Sequence, residues 1–241
     1  SGLGNAVART LLDNGAKVIA VGRREDKLAE LQKKYSATEV ISGDVLHDDT
    51  IKIILDKVAD RELAGVFVNA GGPPALSFIE TKTEDWDQAY ALLLRWKVAL
   101  VRQLLPLFQQ QGYGRILFSE SSTVKQPIEN LVLSNSLRMA VAGLAKTMAL
   151  EVADQGITVN LIGPGYHETD AINRLFEKKS KLKGISFEEA RAETISGIPS
   201  GKIGDPEDFA SLAVWLMSPL AGFVTGQVYT LDGGTTRFSL G

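Results

Sequence analysis

The chain has 241 residues, of which 44% are hydrophobic and 23% charged, and a formal net charge of −3. That length and composition suit one sizeable core. The acidic balance argues against a nucleic-acid face, and the absence of cysteine excludes disulfides and thiolate metal sites. The richest apolar stretches are broken by Arg95, Lys97, Arg102, Arg138 and Lys146, so no membrane span is expected. With no signal peptide at the start of the sequence, the expectation is a soluble, cytoplasmic protein without membrane or nucleic-acid partners.

In chain order, Gly2-Leu3-Gly4 leads into an amphipathic helix over 5–12, ended by Gly15, which suits a left-handed position after a helix. Glycines entering a helix N-terminus leave free N–H groups that favour a phosphate; turn residues alone would look the same. A short strand over 17–21 ends at Gly22-Arg23-Arg24, followed by a polar helix over 25–35. At the end of such a strand an acidic residue holds a ribose 2′-hydroxyl, whereas arginine accommodates a 2′-phosphate. Arg23 and Arg24 therefore favour NADP, with NAD the alternative. A strand over 39–42 runs into Asp44-Val45, where Asp44 is placed to accept from an adenine amino group. His47, Asp48 and Asp49 look superficially like a metal cluster, but capping and charge-matching of a helix over 49–60 account for the acids, and no metal is expected.

The strand over 65–69 ends in Asn69-Ala70-Gly71, small residues that let backbone approach a ligand. A long helix over 83–111 follows, apolar on most faces, expected to cover the sheet and a second subunit and to kink at Pro106. A strand over 114–118 leads to Ser121. The helix over 131–150 places apolar Leu137, Val141, Leu144 and Met148 at helical spacing and carries Ser134 and Arg138 four apart on one face. A strand over 157–162 ends in Pro164-Gly165-Tyr166-His167. The charged stretch 166–200 reads as a substrate lid. A helix from Asp205-Pro206 through Met217 and a strand over 227–231, ending in Asp232-Gly233-Gly234, close the chain. Alternating strands and helices give an α/β fold, a single-domain Rossmann-type doubly wound parallel sheet over 1–241. Ligand atoms should gather at the strands' carboxyl ends.

These residues together resemble the short-chain dehydrogenase/reductases, nearest to the 3-oxoacyl-carrier-protein-reductase-like group. The resemblance rests on Gly2-Leu3-Gly4, Asp44-Val45, Asn69-Ala70-Gly71, Ser121, Val159-Asn160, Pro164-Gly165, Thr169, and Thr225-Gly226 with Asp232-Gly233-Gly234. It implies a nicotinamide cofactor held by Gly2, Leu3, Gly4, Arg23, Arg24, Asp44, Val45, Asn69, Ala70, Gly71, Arg138, Pro164, Gly165 and Thr169. It also implies hydride exchange with a small carbonyl or alcohol, and a homo-oligomer, tetramer or dimer. Members of the family open with a strand that lies inside the sheet; that strand is absent from the given chain. At least ten further residues, or another segment filling the slot, are expected, and the strands over 17–21 and 65–69 should not pair directly.

The family carries Tyr-x-x-x-Lys thirteen residues beyond its serine. Counted from Ser121, those positions hold Ser134 and Arg138, and the family's asparagine falls on Leu93. A phenol starts at a pKa of about 10, which a neighbouring ammonium lowers; a serine hydroxyl is a far weaker acid. Arg138 keeps its charge but its fork can hold ribose hydroxyls. The catalytic candidates are therefore Ser121, Ser134, Arg138 and, as a substitute phenol, Tyr166, with packing as the alternative role for Tyr166. His167 and Glu120 are further substitute donors, although alternation turns Glu120 away from Ser121. Three readings stand: an NADP-preferring oxidoreductase with altered proton delivery, a catalytically silent nucleotide-binding protein, and a lyase or isomerase without net redox change.

Overall fold

The computed structural model describes residues 2–69 and 71–239. Six strands form the sheet region: β1 (Val18–Gly22), β2 (Thr38–Ser42), β3 (Gly65–Asn69), β4 (Gly114–Ser119), β5 (Ile157–Pro164) and β6 (Val228–Leu231). All pairings are parallel. β1 pairs with β2, and β3–β4–β5–β6 form a second sheet in that order. β1 and β3 do not pair with each other, as expected.

Helices cover both faces. α3 (Asp48–Val58), α5 (Trp96–Gln111) and α6 (Val132–Val152) pack on one face with Ile116 and Phe118 of β4. α1 (Gly2–Asp13) and α9 (Pro206–Met217) cover the other, against Leu117 and Ile162. The alternation of Ile116, Leu117 and Phe118 between the two clusters is the two-residue period of a strand buried on both faces. Carried two residues further, it turns Glu120 towards α5 and α6. The helix α2 (Glu25–Lys34) lies against β1 and β2. No described helix is long and apolar enough to cross a membrane.

Two sequence expectations need correction here. The long helix does not break at Pro106, which lies inside α5. It is interrupted earlier, where α4 (Thr83–Tyr90) passes into a π-helical turn over Ala91–Arg95. A π turn inserts a residue and rephases the side chains that follow. The indole Nε1 of Trp96 donates to the Leu92 carbonyl at 2.8 Å across this turn. Proline is tolerated because α5 bears its load through the buried stripe Trp96, Leu100, Val101, Leu104 and Phe108.

The second correction concerns α6. Its buried stripe is Leu133, Ser134, Arg138, Val141, Ala145, Ala149 and Val152, whereas Leu137, Leu144 and Met148 are half-buried. The reason is that Arg138 finds its counter-charge inside the protein, so a charged residue can occupy the inner face. Small residues at 145 and 149 then let the helix approach β5 and the Gly226 turn, where a side-chain carbon on Gly226 would stand 3.3 Å from Ala149.

The stretch after β5 folds into α7 (Asp170–Lys183) and α8 (Phe187–Ser196) around its own cluster of Ile172, Phe176, Ala190, Ile198 and Ile203. A capping box of Ser186 and Glu189 starts α8. The Val159-Asn160 and Thr225-Gly226 pattern has a structural cause: Thr225 Oγ1 accepts from Val159 N–H at 3.0 Å. The Asn160 side chain clamps the start of β6 by donating to Val224 at 2.7 Å and accepting from Gln227 at 3.1 Å.

Candidate active site

The carboxyl ends of β1 to β5 form one rim. At its centre the first turn of α1 faces the end of β3 and the start of α7. Gly2, Leu3 and Gly4 belong to the helix itself, not to a turn preceding it, with Gly2 at φ +58°. A side-chain carbon on Gly4 would stand 3.0 Å from the Asn69 amide nitrogen, and one on Gly2 3.6 Å from Thr169 Cγ2. The structure thus brings Gly2, Gly4, Asn69 and Thr169 together around a helix N-terminus with free N–H groups. That arrangement fits a pyrophosphate, and a larger side chain at either glycine would crowd it. Thr169 is the residue before α7, and its hydroxyl donates to the His167 carbonyl at 3.3 Å. Ala70 lies outside the described residues.

Along the rim, Arg23 and Arg24 enter α2 exposed. Arg23 Nη1 lies 3.6 Å from Asp44 and Arg24 Nη1 3.7 Å from Asp170. Both are long, solvent-screened pairs, so either arginine can exchange its partner at small cost. Asp44 also closes its own turn by accepting from Leu46 N–H at 3.1 Å, and Val45 packs at the edge of the larger core. On the far side of the rim, a side-chain carbon on Gly163 would stand 2.7 Å from the Ser121 carbonyl oxygen. One on Gly165 would stand 2.7 Å from Asp232 Cβ. Glycine at these positions lets the Ser121 turn and the Asp232 loop lie directly on β5.

Ser121 and Ser134 are held in the same way. Ser121 Oγ accepts from Thr123 N–H at 3.2 Å at the head of a short 3₁₀ turn. Ser134 Oγ accepts from Arg138 Nε at 3.0 Å. A hydroxyl has one hydrogen and two lone pairs, so each serine keeps its hydrogen for another acceptor.

The guanidinium of Arg138 is buried and committed. Besides Ser134, it donates through Nη1 to the Glu120 carbonyl at 2.9 Å and the Glu120 carboxylate at 3.0 Å, and through Nη2 to the Gly71 carbonyl at 3.3 Å. It ties the ends of β3 and β4 to α6. The other carboxylate oxygen of Glu120 accepts from Lys97 Nζ, and Lys97 is 0% exposed. Burial pushes the Lys97 pKa down, helped by the neighbouring Arg138 charge; Glu120 opposes the shift without cancelling it.

Sequence reasoning missed the partnership of Lys97 and Glu120. A signal was present: Lys97 stands among Leu93, Leu100, Val101 and Leu104, the single charged residue on an otherwise apolar helical stripe. The substitute donors fare differently. Tyr166 packs against the α7/α8 cluster, the packing role that had been the alternative for it. His167 does not face solvent: it is buried, stands edge-on to Phe209 at 5.8 Å, and its Nδ1 lies 3.3 Å from the Gly165 carbonyl. Burial holds its pKa below the ordinary histidine value. His47 precedes α3 without a capping bond from its side chain, and Asp48 and Asp49 fall in that helix's first turn.

The chain matches known proteins over nearly its whole length. A short-chain alcohol dehydrogenase family model, described as enoyl-(acyl carrier protein) reductase, matches residues 1–236. The chain is 32% identical over 249 residues to the D-beta-hydroxybutyrate dehydrogenase of Rhizobium meliloti, covering 98% of this chain and 95% of that protein. It is 30% identical over 240 residues to the 3-oxoacyl-[acyl-carrier-protein] reductase FabG of Vibrio cholerae, covering 97% and 92%. Among solved structures, the NADPH-bound short chain oxidoreductase of Pseudomonas aeruginosa PAO1, described as containing an atypical catalytic center, superposes with a TM-score of 0.86 at 26% identity. That match covers 99% of this chain and 94% of the other.

Proposed function

The chain belongs to the short-chain dehydrogenase/reductase family, and from that premise we propose that it is an NADPH-dependent reductase of small carbonyl compounds whose proton delivery does not use a tyrosine. When bound, NADPH would supply the hydride for the carbonyl carbon; the serine hydroxyls would hold the oxygen as it gains the electron pair, and water would supply the proton that completes the alcohol. The observation that carries the reading is the pair of serine hydroxyls, Ser121 and Ser134. Each accepts from within the chain and keeps its own hydrogen. Two such donors polarise a carbonyl oxygen and bind it more tightly as negative charge grows. The N-terminal turn of α1, Asn69 and Thr169 would hold the pyrophosphate side, and Arg23 and Arg24 the 2′-phosphate. Exposed Tyr90, Val98 and Met139 on the α4–α6 side support self-association as a dimer or tetramer.

Fluorescence titration with NADPH and NADH, followed by turnover of a panel of ketones and aldehydes, tests the reading. Tight NADPH binding with turnover is expected; absence of nucleotide binding would end it. One observation favours the rival, a silent nucleotide-binding protein: four of the five N–H donors of Arg138 go to Ser134, Glu120 and Gly71, leaving one for a ribose. NADPH affinity without turnover on any carbonyl, unrescued by Ser134→Tyr with Arg138→Lys, would decide for that rival.

A further inference from the structure

The buried charges behind Ser134 do not balance. Glu120 has no side-chain exposure and faces two cations: Lys97 from α5, fully buried, and Arg138 from α6, whose side chain is 8% exposed. Among the described residues neither cation has a second carboxylate partner. Arg138 answers one carboxylate oxygen of Glu120 and Lys97 the other, so two cations share a single anion. A methionine would fill the same stripe of α5 without the desolvation that an ammonium suffers there. The π turn over Ala91–Arg95 immediately precedes Lys97 and sets the phase of its helix. Pairing cancels one of the two positive charges and leaves the other over, and the Arg138 end of the cluster reaches the rim at the Gly71 carbonyl.

We propose that Lys97, Glu120 and Arg138 form a three-charge group with one surplus positive charge, held behind the Ser134 hydroxyl, and that this surplus makes the site prefer the neutral reduced nicotinamide over the cationic oxidised one. Lys97 acts through Glu120 and Arg138 and is a positioning residue. The proposal rests on reading this rim as the nucleotide site. It gives the site a thermodynamic direction, because an enzyme that holds NADPH more tightly than NADP⁺ stays loaded for reduction. The groups facing Lys97 are Glu120 just after β4, Arg138 from α6 and the neighbouring Trp96 ring on its own helix. Its lowered pKa makes the surplus removable: as pH rises the ammonium loses its proton, the group becomes neutral and the discrimination fades.

The test is the ratio of dissociation constants for NADP⁺ and NADPH, measured from neutral to alkaline pH on the wild-type chain, Lys97→Met, and Lys97→Met with Glu120→Gln. The 2′-phosphate is common to both nucleotides, so its titration cancels in the ratio. In the wild type the ratio favours NADPH and falls as pH rises. Lys97→Met removes the surplus and lowers the ratio about tenfold, the size expected for unit charges about 12 Å apart at an effective dielectric of about 20. The double variant restores the surplus through Arg138, so its ratio returns towards the wild-type value but no longer depends on pH. A purely structural Lys97 would give equal ratios in both variants, or a wild-type ratio independent of pH; either result, with binding intact, overturns this proposal alone. Loss of all nucleotide binding in the wild type overturns the proposed function and this inference with it. Should Lys97→Met fail to fold, the wild-type pH dependence and its absence in the double variant carry the decision.

Discussion

Two sets of arginines stand on one rim under opposite conditions. Arg138, at the end proposed for chemistry, is buried, and four of its five N–H donors are answered by Glu120, Ser134 and Gly71. Arg23 and Arg24, at the end proposed for the adenosine phosphate, have side chains 76% and 49% exposed and hold carboxylates only at 3.6 and 3.7 Å. The difference separates two uses of the same side chain. A guanidinium taken out of water must be paid for by fixed partners, and thereafter it is part of the scaffold. An exposed one is held loosely by Coulomb attraction in a high dielectric and can turn to an arriving phosphate. Mutations at the two ends should therefore read out in different quantities, stability at one and affinity at the other.

The largest effect is expected at Glu120. Glu120→Ala leaves Lys97 and Arg138 facing each other without a counter-charge. Breaking a buried pair this way costs about 3–5 kcal/mol, measurable as a loss of urea stability. The sign with pH follows from Lys97. Its folded pKa is lowered from 10.5, so between that folded value and 10.5 the unfolded chain binds more protons, and folded stability rises with pH. In the variant the ammonium gives up its proton at still lower pH, so the deficit against wild type should narrow in alkali. A loss below about 1 kcal/mol would mean that the cluster is hydrated and that the contrast between the two ends is false.

At the other end, Arg23→Ala with Arg24→Ala should leave urea stability within about 0.5 kcal/mol of wild type, as surface changes do. NADPH affinity should fall about 10- to 100-fold, equivalent to about 1.4–2.7 kcal/mol. NADH affinity should stay within about threefold, and the NADPH loss should shrink as salt screens the exposed charges. Equal weakening of both nucleotides would remove the 2′-phosphate assignment from these arginines.

How much of this contrast the sequence disclosed depends on the range of the interaction. The strands and the glycines of α1 were legible because spacing along one chain segment reveals them. The π turn was not, because it differs from the α-helix by a single residue and leaves the apolar pattern of 83–111 nearly unchanged. The expected break at Pro106 did not occur, because the helix α5 runs unbroken through it with its buried stripe continuing to Phe108. The Lys97–Glu120 pairing joins residues 23 apart in sequence, and only the sheet brings them together. Lys97 was read as evidence against a membrane span, when its place in the apolar stripe marked it as a buried charge. Arg138 was expected to face a ribose; what the sequence did not disclose is its bond to Glu120, whose orientation alternation did predict.

A smaller effect probes what aims Lys97. Trp96→Phe removes the indole N–H that reaches the Leu92 carbonyl across the π turn at 2.8 Å. The expected loss is about 1 kcal/mol for one hydrogen bond, with the stripe of α5 otherwise intact. If the turn relaxes to a regular helix as well, Lys97 rotates off Glu120 and the loss approaches that of Glu120→Ala. The two results are separable by urea titration of Trp96→Phe alone and combined with Lys97→Met.

The smallest effect concerns a buried group with a single polar contact, against the four that hold Arg138. His167 lies between Phe209 and Gly204, and among the described residues its ring meets one hydrogen-bond partner, the Gly165 carbonyl at Nδ1. Burial lowers its pKa from 6.5. Between its folded value and 6.5 the unfolded chain binds the proton first, so folded stability falls as pH drops below 6.5 and levels off once both states are protonated. His167→Gln removes the titration but keeps a side chain able to bond the same carbonyl. Its stability should match the parent's pH slope above 6.5 and lose the His167 share of the slope below it, read from urea midpoints across mildly acid pH. An unchanged acid slope would mean that His167 is as solvated as Arg23, so that one carbonyl contact does not bury a ring in this part of the chain.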